Sequence, residues 1–359
     1  QLVDVNNLML TKTTYTLGLS SIQYISPGDL ATSEAIASSA QAVAAGLLVS
    51  SVPILFTPGG SALLWALMNV LQVFYYLLFI NVLYPLNVEI FFNIFSMGRL
   101  AFLPNPIQML IPSLPDEEES LPTPARFRDE NMSGLFLANV GNLLICGGAA
   151  LLLDLLIRVL LIFQRSIPQM LRKILNKIRS MIEWSGFLRI WIASFLDIHV
   201  MGLFQISFFS FGSVVHTAST VVAAVIVTLN TFLPFFAYIK VKKYAYKINK
   251  MPKSLLPLIE EFNEKPRFVL YFNVIVLLRR MFMAITLIFV PKLPFVQVFI
   301  LFPLTLISLT LLLQYKPYKK KGDQINNVTQ EITFLVIYGL IFSLVFHDKY
   351  NTFSDRKSV

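Results

Sequence analysis

Apolar runs close to twenty residues long recur along this chain from about residue 35 to residue 346. A helix needs about 20 apolar residues to cross the core of a bilayer. No water is available there, so each segment must satisfy its own backbone groups. The runs therefore predict an all-α fold, a polytopic transmembrane helix bundle. Eight spans are expected: Ala35–Phe56, Ser61–Leu83, Ser133–Phe163, Phe187–Gly212, Thr217–Ile239, Phe268–Val290, Leu293–Gln314 and Thr329–Phe346. Composition agrees, since only 14% of the 359 residues are charged against about 25% in soluble domains. The net charge of +9 does not indicate nucleic acid, because the cations flank apolar runs. The expected partner is the lipid bilayer.

Lys and Arg in short loops set orientation, because they resist translocation. Inner loops are expected at 164–186 and 240–267. The first holds Arg165, Arg172, Lys173, Lys177 and Arg179, and the second seven Lys and one Arg against three Glu. "YKPYKKKGD" adds Lys316, Lys319, Lys320 and Lys321 on the same side. The acidic outer loop, 84–132, carries "DEEE" at Asp116–Glu119. With eight spans the 1–34 tail and the 347–359 tail both lie outside, flanking a membrane domain at 35–346. Two segments are expected not to cross. Asn87–Ile107, aromatic and closed by "PNPI", reads as an outer interfacial or re-entrant segment. Ile167–Trp184 places Met170, Ile174, Ile178 and Ile182 at helical spacing with cations between them, an amphipathic helix on the inner surface. A calmodulin-type target is the competing reading. Arg172, Lys173, Lys177, Lys319, Lys320 and Lys321 are candidate contacts for anionic lipid.

The candidate buried ionisable residues inside the expected spans are Asp154, Arg158, Asp197, His199, Arg279 and Arg280. Such residues usually face protein or a water-filled cavity. At about 1.5 Å per helical residue, Asp154, Asp197 and Arg279 reach similar depths. One of the two arginines is expected to pair with Asp197, the other with Asp154 or with backbone carbonyls. Arg158, four residues after Asp154, competes for that acid. The alternative is that both arginines snorkel to the inner surface. Adjacent residues point about 100° apart on a helix, and no third cation continues the series. A voltage-sensor stripe is therefore excluded.

Little else carries chemistry. Cys146 has no disulfide partner, and His199, His216 and His347 lack metal-ligand spacing. No catalytic or nucleotide-binding motif is visible, so neither enzyme activity nor a cofactor is expected. No filter-like loop or acidic ring marks a pore. The start at Gln1 reads as part of a longer precursor.

Several stretches resemble the C-terminal membrane domain of ciliate cysteine-repeat multipass membrane proteins. They are "LLWALMNVLQVFYYLLFINVLYPLNVEIFFNIF", "SGLFLANVGNLL", "FLRIWIASFLDIHVMGLFQI", "LLRRMFMAITLIF" and "LQYKPYKKKGDQINNVTQEI". The likeness covers about Leu63 to Tyr338. The last two segments are also similar to the fungal TRP-like family, with Tyr315, Pro317, Tyr318, Asn326 or Asn327, and Glu331 at its "Y-x-P-Y", Asn and Glu positions. The resemblance implies a large extracellular part before the membrane domain, a plasma or ciliary membrane location and cation-channel ancestry. This chain carries no cysteine-rich repeat itself. Two readings follow: a TRP-like, channel-type module acting as a homo-oligomer or with an extracellular part, and a non-conducting anchor or receptor domain that tethers a cell-surface assembly.

Overall fold

The computed structural model describes residues 70–82, 84–99, 132–162, 168–182, 184–208 and 214–357, with Phe127 and a few isolated positions before residue 50. The first expected span lies almost wholly outside the described residues, as do the outer loop between residues 100 and 126 and the inner-loop residues 163–167. The described residues are all-helical, with one isolated antiparallel bridge, Phe262 to Tyr318. Residues 70–77 form the described portion of the second expected span and end in a turn. The segment expected to lie outside opens with α1 (Leu86–Asn93), set off by Pro85 and continued by a 3-10 turn, Ile94–Arg99. There follow α2 (Phe136–Ile162), α3 (Gln169–Ile182), α4 (Trp184–Ala193), α5 (Phe195–Ser207), α6 (Val214–Tyr244), α7 (Phe272–Phe289), α8 (Pro294–Tyr315) and α9 (Lys321–Lys357).

Among the described residues four helices are long and apolar enough to cross a membrane: Val214–Tyr244, Arg267–Phe289, Pro294–Tyr315 and Lys321–Phe346. A fifth results if α4 and α5 form one broken span. The described residues thus support four or five of the eight expected spans, the first of which lies almost wholly outside them. The fourth run failed to predict its own break, a 61° bend at Ser194. The Ser194 hydroxyl donates to the Ile190 carbonyl at 2.5 Å, back-bonding that bends helices. α2 covers most of the third expected span, Ser133–Phe163, with Asp154 and Arg158 in its second half. The last helix, conversely, begins eight residues before the predicted Thr329. Asp323 sits in its first turn, where the helix dipole favours a carboxylate.

The bundle is built around α5. Ten of its residues are buried, from Phe195 to Gln205, and it packs against α2, α6 and α7. Gly202 makes the close crossing with α6 possible: a Cβ there would lie 2.1 Å from Cγ2 of Val227. Residues 70–82 line the other side of this core, with Tyr76, Leu77 and Ile80 fully enclosed. Outward, α6 exposes Val221, Val225, Leu229 and Phe232, and α8 and α9 expose Phe299, Leu306, Ile307, Val336 and Leu340. Soluble monomers rarely show apolar faces of this extent. The faces fit a lipid environment and a multipass membrane protein.

The two basic linkers interlock at one end. α8 stops because Lys316 takes the left-handed conformation (φ 44°) before Pro317. The Asn263 amide N–H then donates to the Pro317 carbonyl at 2.7 Å, and the Lys319 amide N–H to the Glu261 carbonyl at 2.9 Å. The Asn263 side chain donates to the carbonyls of Lys316 and Tyr318 at 3.0 and 3.2 Å. Hence the segment after α6 and the turn between α8 and α9 form one docked unit.

Candidate functional site: the arginine pair of α7

Arg279 and Arg280 face two different neighbours. Arg279 pairs with Glu331 of α9, and the two side chains keep only 12% and 7% exposure. Ser308 of α8 donates to Glu331 Oε1 at 3.3 Å, so the carboxylate joins three helices. Phe334, one turn along α9, places its ring beneath the Arg279 guanidinium at 5.9 Å. One further turn on, Tyr338 is bonded to Thr305 of α8. Arg280 is 5% exposed and donates from Nη1 to the Ile192 carbonyl at 3.2 Å. That carbonyl lies in the last turn of α4, where helix carbonyls lack donors of their own. The bend at Ser194 thus supplies the acceptor. Val73, Arg279, Arg280, Met283, Leu301, Thr305, Phe334 and Tyr338 enclose a small cavity, with room for about one water.

The expectation that one arginine pairs with Asp197 and the other with Asp154 or backbone carbonyls is corrected for Arg279, whose carboxylate is Glu331. Arg280 takes a backbone carbonyl, one of the expected alternatives. Asp197 instead accepts from the Tyr76 hydroxyl, which fixes residues 70–77 to α5. Asp154 binds Arg158 at 2.7 Å on its own helix, the competing arrangement considered above. His199 meets the Asn230 side-chain amide at 3.1 Å, and Asn230 also donates to the Phe195 carbonyl and accepts from the Trp191 indole, each at 2.9 Å. Asn230 thereby bridges the α4–α5 break to α6. At the far end of α5, Gln205 accepts from the Phe136 amide at 2.6 Å and from the Ser219 hydroxyl at 2.9 Å.

Among the residues proposed for lipid contact, Arg172 and Lys173 are exposed on α3 and Lys320 and Lys321 at the head of α9. Lys319 is also exposed, but its Nζ donates to the Glu260 carbonyl at 3.0 Å. The Lys177 side chain lies outside the described residues. Among the described residues no group of three or more His, Cys, Asp or Glu gathers into a metal set.

Glu260 closes the docked linkers from a third side, pairing with Arg189 of α4 at 2.5 Å. Its neighbour Glu261 is half-buried, and burial, with Glu260 and Asp323 nearby, raises its carboxyl to about 7 against the opposing pull of Arg189 and Lys320. The folded state then holds a proton that the unfolded chain releases near the ordinary glutamate value of 4.5. Where the folded state binds more protons, stability falls as pH rises. The contribution is thus complete below about pH 4.5, declines from there to about pH 7 and is gone above. Glu261→Gln is expected to flatten thermal stability across that window and to raise it at pH 8, the one assay being unfolding followed against pH.

Glu331 lies only two residues inside the expected eighth span, Thr329–Phe346, too near its edge to match the depth of Arg279. Counted from Lys321 it lies about 15 Å into the helix, the depth range of Arg279. Tyr76, Asn230 and Gln205 carry no sequence signal beyond being polar residues in apolar runs. Compared with family models, with curated proteins and with solved structures, the chain matches none.

Proposed function

We propose that the chain is a channel-type transmembrane module, similar to the TRP-like family, that works in several copies beside a larger extracellular part. One observation carries this reading. The residues of the TRP-like resemblance are joined as one working unit: Pro317 and Tyr318 hold the linker after α6, Tyr318 donates to Asn327 at 3.1 Å, and Glu331 binds Arg279. A unit of that kind passes a displacement of the linker after α6 directly into α8 and α9. The basic linkers face the cytosol in this reading, by the positive-inside rule, and the conducting path forms between copies.

The small cavity favours a second reading. The cavity found among the described residues has room for about one water, as suits a membrane anchor for a cell-surface assembly. Cation flux into liposomes holding the purified protein separates the two. The channel reading expects flux, altered by Asn263→Ala, which removes two linker hydrogen bonds worth about 1 kcal/mol each. No flux from folded, oligomeric protein establishes the anchor instead.

A further inference from the structure

Among the described residues, helix α3 joins none of the ion pairs above, yet it is the most one-sided of the described helices. Its sequence, "QMLRKILNKIRSMI", holds two Arg, two Lys and no acid. It packs along α2 and α4, but these neighbours leave its apolar arc open. Met170 is 77% exposed, Leu171 46% and Ile174 44%. Residues 170, 171 and 174 lie within about 100° of one another on a helix of 3.6 residues per turn, whereas Arg172 and Lys173 project outside that arc. Arg172 and Lys173 are exposed as well.

Its position narrows what can cover this face. α4, which follows it directly, is tied through Arg189 to Glu260, and Glu260 belongs to the docked linkers. α3 therefore sits at the end of the bundle where Lys316, Lys319, Lys320 and Lys321 are exposed. An apolar arc flanked by cations, at the end of a membrane-crossing bundle, matches the layering of an anionic leaflet: hydrocarbon under the arc, phosphate beside the cations.

We infer that α3 lies in the headgroup layer of an anionic bilayer surface, with Met170, Leu171 and Ile174 inserted among acyl chains and Arg172 and Lys173 bound to lipid phosphates. The attachment is reversible and depends on lipid charge, and it positions α4 and, through Arg189, the docked linkers. It holds whether the bundle conducts or only anchors. Each cation near an anionic surface contributes about a fivefold change in occupancy, and salt weakens it because exposed charges are screened beyond about 10 Å at 0.1 M ionic strength.

Hydrogen exchange on the full chain in nanodiscs tests this directly. The wild-type protein is compared in phosphatidylcholine alone and in phosphatidylcholine mixed with phosphatidylserine, at low and high salt. The expected result is slower exchange over Gln169–Ile182 in the anionic discs, reversed by salt, with α7–α9 unchanged. R172E/K173E should abolish the difference, an effect on the order of tenfold or more, and M170S/I174S should weaken protection in both lipids. Equal exchange in the two lipids overturns the inference, as does a difference that survives R172E/K173E. Protection that appears only when an acidic protein such as calmodulin is added to neutral discs also overturns it, and assigns the face to a soluble partner. Unchanged exchange in α7–α9 shows that each variant is folded.

Discussion

Glu331→Ala is expected to lower stability by about 3–5 kcal/mol, the usual cost of removing one partner from a buried ion pair. The cost comes mainly from what is left behind. Arg279 is 12% exposed, is set between α8 and α9, and would keep its charge without a carboxylate to balance it. Ser308 would lose its acceptor as well. Thermal unfolding of the purified protein in nanodiscs measures the loss. Glu331→Gln, which retains a hydrogen-bonding carbonyl, should fall between wild type and the alanine variant. R279M/E331L removes both charges and should recover most of the stability, because apolar replacements of a buried pair are often neutral or better. An alanine variant as stable as wild type would mean that Arg279 finds water or headgroups instead, and the lock would be discarded.

Gly202→Ala is expected to cost about 1–3 kcal/mol, the range for overpacking a filled interior. The added methyl would begin 2.1 Å from Cγ2 of Val227, and Phe136 stands 3.6 Å away on the other side. Neither α5 nor α6 can yield easily, since Gln205 bonds Ser219 further along the same pair of helices. Val227→Ala removes the opposing methyl. The double variant G202A/V227A should therefore be more stable than the sum of the two single changes allows, a coupling expected of contacting residues. Chemical unfolding of the four proteins gives the coupling directly. Strict additivity would show that the helices part at no cost and that Gly202 has no spacing role.

The last four spans were legible to within a few residues at most ends, because unbroken apolar composition and basic flanks mark them on both sides. The all-helical class followed from the same signal. The break in the fourth run did not, since hydropathy reads a run as continuous where a single serine hydroxyl can turn the backbone, as Ser194 does. Charge partners were harder still. Depth along a helix can be counted from sequence, and with the eighth span expected from Thr329 that rule favoured Asp197 over Glu331 for Arg279. Which one it meets is decided by helix neighbours, and α9 rather than α5 presents its acid there. The docking of Asn263 onto residues 316–318 was invisible, because most of its bonds end on backbone carbonyls that carry no sequence identity.

The adjacency of the two arginines has one more consequence. Held by Glu331 on one side and by the Ile192 carbonyl on the other, α7 has a fixed azimuth as well as a fixed depth. Inserting one residue between Phe272 and Arg279 would turn both guanidinium groups by about 100° and disengage them together. Two arginines spaced a full turn apart would have keyed α7 to a single neighbour; side by side, they set its register against two.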